Sequence, residues 1–154
     1  MTAYYFDTSA LIKRYVSEPG SGWVRQLLRP AYDHLFVTCR LTMPEMYSAF
    51  ARRLREGSVS QASYTTTIQA FESDSMAVYH LLELTPDVVQ LSRRLLEHHP
   101  LRANDAVQLA SALLANRSLV EAGLSPLLFL CADSRLLDAA RAEGLAGDNP
   151  NHHS

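Results

Sequence analysis

Two apolar runs in this chain end abruptly on an aspartate and pass into a helix-forming segment. Ala3-Tyr4-Tyr5-Phe6 stops at Asp7, and Leu127-Leu128-Phe129-Leu130-Cys131-Ala132 stops at Asp133. Short apolar runs of this kind read as buried strands, and the amphipathic stretches between them read as helices. Leu35 to Thr38 and Val78 to Leu84 supply two further strands. Strands alternating with helices build a mostly parallel sheet covered on both faces. In such a sheet the carboxyl ends of the strands and the adjacent helix starts share one edge, where ligands bind.

The helices have local signals of their own. Thr8 or Ser9 can cap a helix running to Val16, which Pro19, Gly20 and Gly22 break before Trp23, Val24, Leu27 and Leu28 restart a helical stripe. Thr42 to Glu56 is amphipathic, with Met46, Phe50 and Leu54 on one side and Gly57 as its stop. Ser60 to about Ser75 reads as another helix. Thr85-Pro86-Asp87 combines a cap, a first-turn proline and an early acid, and opens a helix ending near His98-His99-Pro100. Asn104 opens the next, with Val107, Ala110, Leu113 and Leu114 as its apolar stripe. Ser134 opens the last, which Gly144 closes. With 154 residues, 47% of them hydrophobic, the chain can bury one core. The expected domain spans 1–146, followed by a polar, disordered tail over 147–154.

The formal net charge of −2 does not advertise a nucleic-acid binder, but 13 of the 14 basic residues are arginine, whose forked donors suit phosphate. Cys39 and Cys131 lack metal-ligand spacing and read as buried free thiols. Adjacent histidines on a helix do not share a face, so His98-His99 is a poor chelator, and His152-His153 falls in the expected tail. Trp23 reads as core or partner groove. No apolar run approaches the roughly 20 residues of a membrane span, no signal peptide opens the chain, and the expected location is cytoplasmic.

Four acids then stand out. Asp7 and Asp133 project from one sheet edge, Glu45 lies at the start of the second long helix, and Asp105 follows Asn104. Each alone has an ordinary reading. Thr42-x-x-Glu45 fits a capping box, Asp105 suits a helix dipole, and Asp7 and Asp133 can cap helices. Together they are harder to dismiss, because two carboxylates about 4 Å apart repel by roughly 4 kcal/mol at an effective dielectric near 20. A cluster of them calls for protons or a cation, and hard oxygen ligands suit Mg²⁺ or Mn²⁺. A nuclease or a phosphatase could use such a set.

The motifs Tyr5-Phe6-Asp7-Thr8-Ser9-Ala10-Leu11, Glu45-Met46-Tyr47-Ser48-Ala49-Phe50, Leu101 to Ala110 around Asp105, and Cys131 to Ala140 around Asp133 resemble those of PIN-domain ribonucleases. The resemblance runs from about Ala3 to Gly147. It implies a three-layer α/β/α domain with a central, mostly parallel sheet, and metal-dependent cleavage of RNA with Asp7, Glu45, Asp105 and Asp133 as Mg²⁺ or Mn²⁺ ligands. Thr8 and Ser9 would support the pocket, and Lys13, Arg14, Arg52, Arg53 and Arg102 would hold RNA at its rim. The small single-domain chain is similar to VapC-like toxins of bacterial toxin–antitoxin pairs. That implies tRNA or rRNA as substrate, a cognate antitoxin as partner and a homodimer. Two other readings remain open at this stage: a PIN-like housekeeping nuclease and a non-catalytic interaction module. An aspartate-nucleophile phosphatase is disfavoured, because it wants a second aspartate where Ser9 stands.

Overall fold

The computed structural model describes residues 1–153. Five strands, β1 (Ala3–Phe6), β2 (Leu35–Cys39), β3 (Tyr79–Leu82), β4 (Leu128–Leu130) and β5 (Ala146–Asp148), form one sheet in the order β3-β2-β1-β4-β5. All four pairings are parallel, with Tyr5 opposite Val37 on one side and Phe129 on the other. Seven α-helices connect them: α1 (Thr8–Tyr15), α2 (Ser21–Leu27), α3 (Thr42–Arg55), α4 (Gln61–Ala77), α5 (Pro86–His98), α6 (Ala103–Glu121) and α7 (Ser134–Ala142).

Strand side chains alternate between faces, and here each face meets its own helices. Tyr5, Val37 and Phe129 pack with Val88, Leu95, Leu109 and Leu136 of α5, α6 and α7. Phe6, Phe36 and Leu130 pack with Leu11, Val24, Met46 and Phe71 of α1 to α4. The result is the expected three-layer α/β/α arrangement. The chain winds outward from β1 through β2 to β3, then returns to place β4 on the other side of β1. The reversal opens a crevice at the carboxyl ends of β1 and β4, where α/β sheets bind ligands.

The tail departs from expectation. Gly147 lies in β5, whose register pairs Leu128 with Ala146 and Leu130 with Asp148. A 3₁₀ turn at Pro150–His152 follows, and His153 stacks on Trp23 with ring centroids 4.1 Å apart while its Nε2 meets Asp148 Oδ2 at 2.8 Å. Backbone pairing to β4 and an aromatic stack hold a segment whose polarity suggested disorder; Ser154 lies outside the described residues. On α6, the buried residues are Ala106, Gln108, Leu109, Ala110, Ser111 and Ala112, while Val107, Leu113 and Leu114 are only partly buried. None of the helices among the described residues is long and apolar enough to cross a membrane.

Candidate metal and phosphodiester site

Asp7 follows β1 directly and caps α1. Its Oδ1 accepts from the Ala10 amide at 3.0 Å and from the Ser9 hydroxyl at 2.7 Å. Ser9 in turn accepts from the Ala132 amide at 2.9 Å, which ties the end of β1 to the loop after β4. The cap is therefore Asp7, not Thr8 or Ser9, and those two side chains are released toward the crevice. Burial is the main reason that the Asp7 carboxyl titrates high, moving from the ordinary 3.8 to about 6; its hydrogen bonds oppose the shift and Glu45 adds to it.

Asp133 caps α7, accepting the amides of Arg135 at 2.9 Å and Leu136 at 3.4 Å. Asp105 sits in the first turn of α6. Its carboxyl is also raised, first by burial and then by repulsion from Asp133 and Glu45, against the backbone amide of Arg102. Glu45 makes no capping box. The residue capping α3 is Leu41, and Thr42 is buried, its hydroxyl 2.7 Å from that of Thr38. The Glu45 carboxylate instead turns toward α1 and α6, where Thr8, Asn104 and Gln108 donate to it.

All four acids line one cavity of about 570 Å³, together with Thr8, Ser9, Asn104 and Gln108. Arg52, Arg53, Arg102 and Arg135 also line it, yet among the described residues none of the four acids forms an ion pair. Repulsive couplings run from Asp7 to Glu45, from Glu45 to Asp105 and from Asp105 to Asp133, and the charge of Arg102 offsets part of them at Asp105. The carboxylates share the space without closing into a shell: among the described residues, no three His, Cys, Asp or Glu side chains are placed to grip one ion directly. An open, all-oxygen, anionic cup of this kind fits Mg²⁺ or Mn²⁺, because Mg²⁺ keeps several waters and takes only one or two carboxylates directly.

Two expected rim residues lie elsewhere. Lys13 is buried, 3% exposed, and bound to Glu18 at 2.9 Å. Arg14 binds Asp74 at 3.0 Å, in a network with Tyr15 and Tyr79. Neither lines this cavity, since each side chain is drawn to an acid of its own, although Lys13 borders an adjoining cavity with Ser9 and Asp133. Arg52, Arg53 and Arg102 do line it. Arg135, Asn104, Gln108 and Cys131 were not singled out as site residues. Two of them carried a signal: Asn104 and Gln108 are one helical turn apart and flank Asp105.

The family model for the PIN domain matches residues 4–124. Two curated relatives, Ribonuclease VapC45 and Ribonuclease VapC49 of Mycobacterium tuberculosis, are each 34% identical over 113 residues, covering 73% of this chain and 76% of theirs. Among solved structures, FitAcB from Neisseria gonorrhoeae superposes with a TM-score of 0.68 at 15% identity, over 97% of this chain and 99% of that one. VapBC2 from Rickettsia felis, bound to a promoter DNA fragment, gives 0.62 at 10% identity, over 96% and 98%.

Proposed function

The chain belongs to the PIN-domain family, and from that premise we propose that it is a Mg²⁺- or Mn²⁺-dependent endoribonuclease, the toxin of a toxin–antitoxin pair. One observation carries the reading. Four carboxylates line one cavity with no ion pair among the described residues, beside arginines whose guanidinium groups suit phosphate. The relatives named as ribonucleases support the reaction class. The structural neighbours that were solved as toxin–antitoxin complexes support an antitoxin partner.

Asp7, Glu45, Asp105 and Asp133 would hold the ion, one or two of them directly and the others through its waters. A bound divalent cation polarises a phosphoryl oxygen and lowers the pKa of a coordinated water. The protein's share is orientation. Ser9 and Ala10 fix one oxygen of Asp7, while Thr8, Asn104 and Gln108 fix both oxygens of Glu45. Arg52, Arg102 and Arg135 are exposed on the cavity wall and would seat flanking phosphates.

The test is cleavage of purified tRNA and rRNA in Mn²⁺ or Mg²⁺ by the wild type, Asp7→Asn and Asp105→Asn. The expected result is cleavage by the wild type alone, with each variant down by about 100-fold or more. Equal cleavage by all three overturns the proposal.

A further inference from the structure

Glu45 leaves α3 with its carboxylate between two amides that α6 supplies one turn apart. Asn104 Nδ2 donates to Oε2 at 3.0 Å and Gln108 Nε2 donates to Oε1 at 2.8 Å. Residues four apart lie on the same side of a helix, so one face of α6 addresses both oxygens. Thr8 adds a third donor, 3.1 Å from Oε1.

A glutamine amide can present oxygen or nitrogen, and its surroundings decide which. Here the decision comes from behind. The hydroxyl of Tyr5, fully buried in β1, donates to Gln108 Oε1 at 2.8 Å. With its oxygen engaged, the amide turns its NH₂ to Glu45 and to Thr42, the latter at 2.9 Å. Gln108 itself is 2% exposed amid Ala106, Leu109 and Ala110. Its bonds to Tyr5, Thr42 and Glu45 satisfy the buried amide, whereas an apolar side chain of similar length would fill the space and leave the buried Tyr5 hydroxyl without this acceptor. Filling space does not by itself account for glutamine at this position; joining Glu45 to the buried hydroxyls behind it does. A neutral donor also holds a carboxylate without cancelling its charge, which an arginine would do.

We propose that Gln108, oriented by the Tyr5 hydroxyl, is a positioning residue that aims the Glu45 carboxylate into the acidic cavity. This rests on the metal-dependent nuclease reading above. It adds a path from the core of the sheet to the site: Tyr5 sets the amide, the amide sets Glu45, and Glu45 meets the ion.

The experiment compares the wild type, Gln108→Met, Tyr5→Phe and the double variant. Mn²⁺ affinity is measured by calorimetry, kcat and KM on a defined RNA hairpin, and thermal unfolding in EDTA. Gln108→Met is expected to weaken Mn²⁺ binding and lower kcat by about tenfold or more, the range seen when groups that orient a metal ligand are lost, with KM nearly unchanged. Tyr5→Phe is expected to move both quantities in the same direction by less, and to add nothing in the Gln108→Met background. Losses that add in the double variant and follow thermal stability would mean packing alone and overturn the proposal. So would unchanged affinity and kcat in Gln108→Met. Should that variant not fold, unchanged values in Tyr5→Phe overturn it equally. A wild type that binds Mn²⁺ but leaves RNA uncut refutes the nuclease reading while the titrations still decide the positioning role. A wild type that binds no Mn²⁺ refutes both.

Discussion

The thiol of Cys131 donates to Oδ2 of Asp7 across 3.3 Å, so the buried end of this carboxylate rests on a weak donor. The other oxygen is well supplied by Ser9 and Ala10, but burial still outweighs these bonds and the carboxyl titrates near 6. A group whose folded pKa is raised adds stability that is complete below its unfolded value, near 4, and is lost as pH rises through about 6. Above that, the ionised carboxylate costs the metal-free protein roughly 3 kcal/mol. Asp7→Asn removes the charge and keeps an acceptor for Ser9 and Ala10. In EDTA at pH 7.5 the variant is expected to be more stable than wild type by roughly 1–3 kcal/mol, with the advantage vanishing near pH 4. Urea denaturation across that range measures it, and parallel stability curves would refute it.

The same unrelieved charge predicts a large response to cation. At a Mn²⁺ concentration about 100 times its Kd, binding to the folded state alone adds about 2.7 kcal/mol, which for a domain of this size raises Tm by roughly 5–10 °C. Asp105→Asn removes one of the carboxylates that repel one another, and its shift is expected to be small. Calorimetric scans with and without EDTA read both proteins. An equal shift in the two removes Asp105 from the ligand set.

The positions of Asp7 and Asp133 were visible in the sequence because they follow from local rules, a strand that ends and a cap that begins a helix, whereas Glu45 and Asp105 cap nothing. Lys13 and Arg14 misled for the complementary reason. Their partners are a loop acid, Glu18, and Asp74 on α4, and no local pattern announces that a basic residue is already engaged. Ala146-Gly147-Asp148 has no apolar signal, and it becomes a strand because β4 leaves an open edge beside it. Gln108 was legible in principle. It is an amide inside an apolar stripe, one turn beyond Asn104, and a stripe assigned by hydrophobicity alone passes over it. Cys131 has the sequence signature of any buried thiol; only the winding of β4 beside β1 brings it to Asp7.

The division between cavity arginines and engaged arginines is testable directly. Arg102→Ala and Arg52→Ala are each expected to weaken RNA binding about equally for all sequences and to lower the slope of log affinity against log salt by about one. Arg14→Ala is expected to leave that slope alone. It takes the charged partner from Asp74 in a part-buried network and leaves that carboxylate only the Tyr15 hydroxyl, at a cost of about 1–3 kcal/mol in stability. Filter binding at several salt concentrations, beside denaturation curves, separates the two behaviours. A salt-slope change in Arg14→Ala would return that residue to the RNA surface.

The carboxyl-terminal segment closes over the start of α2, and its contribution can be isolated at one glycine. Gly20 has φ +85°, and a Cβ there would collide with the carbonyl of Pro150. Beside it, His153 lies flat on Trp23, the single tryptophan, with the rings 8° from parallel. Ending the chain after Asp148 keeps β5 but removes both contacts. The expected loss is about 1–2 kcal/mol, with a red shift of tryptophan emission as the indole meets water. Gly20→Ala in the full chain suffers the left-handed backbone cost, about 1–2 kcal/mol, together with the collision. In the shortened chain only the backbone cost is left. The two changes are therefore expected to be non-additive, the glycine substitution costing less once the segment is gone. Equal costs of Gly20→Ala in both backgrounds would mean that Pro150 does not press on Gly20 in solution.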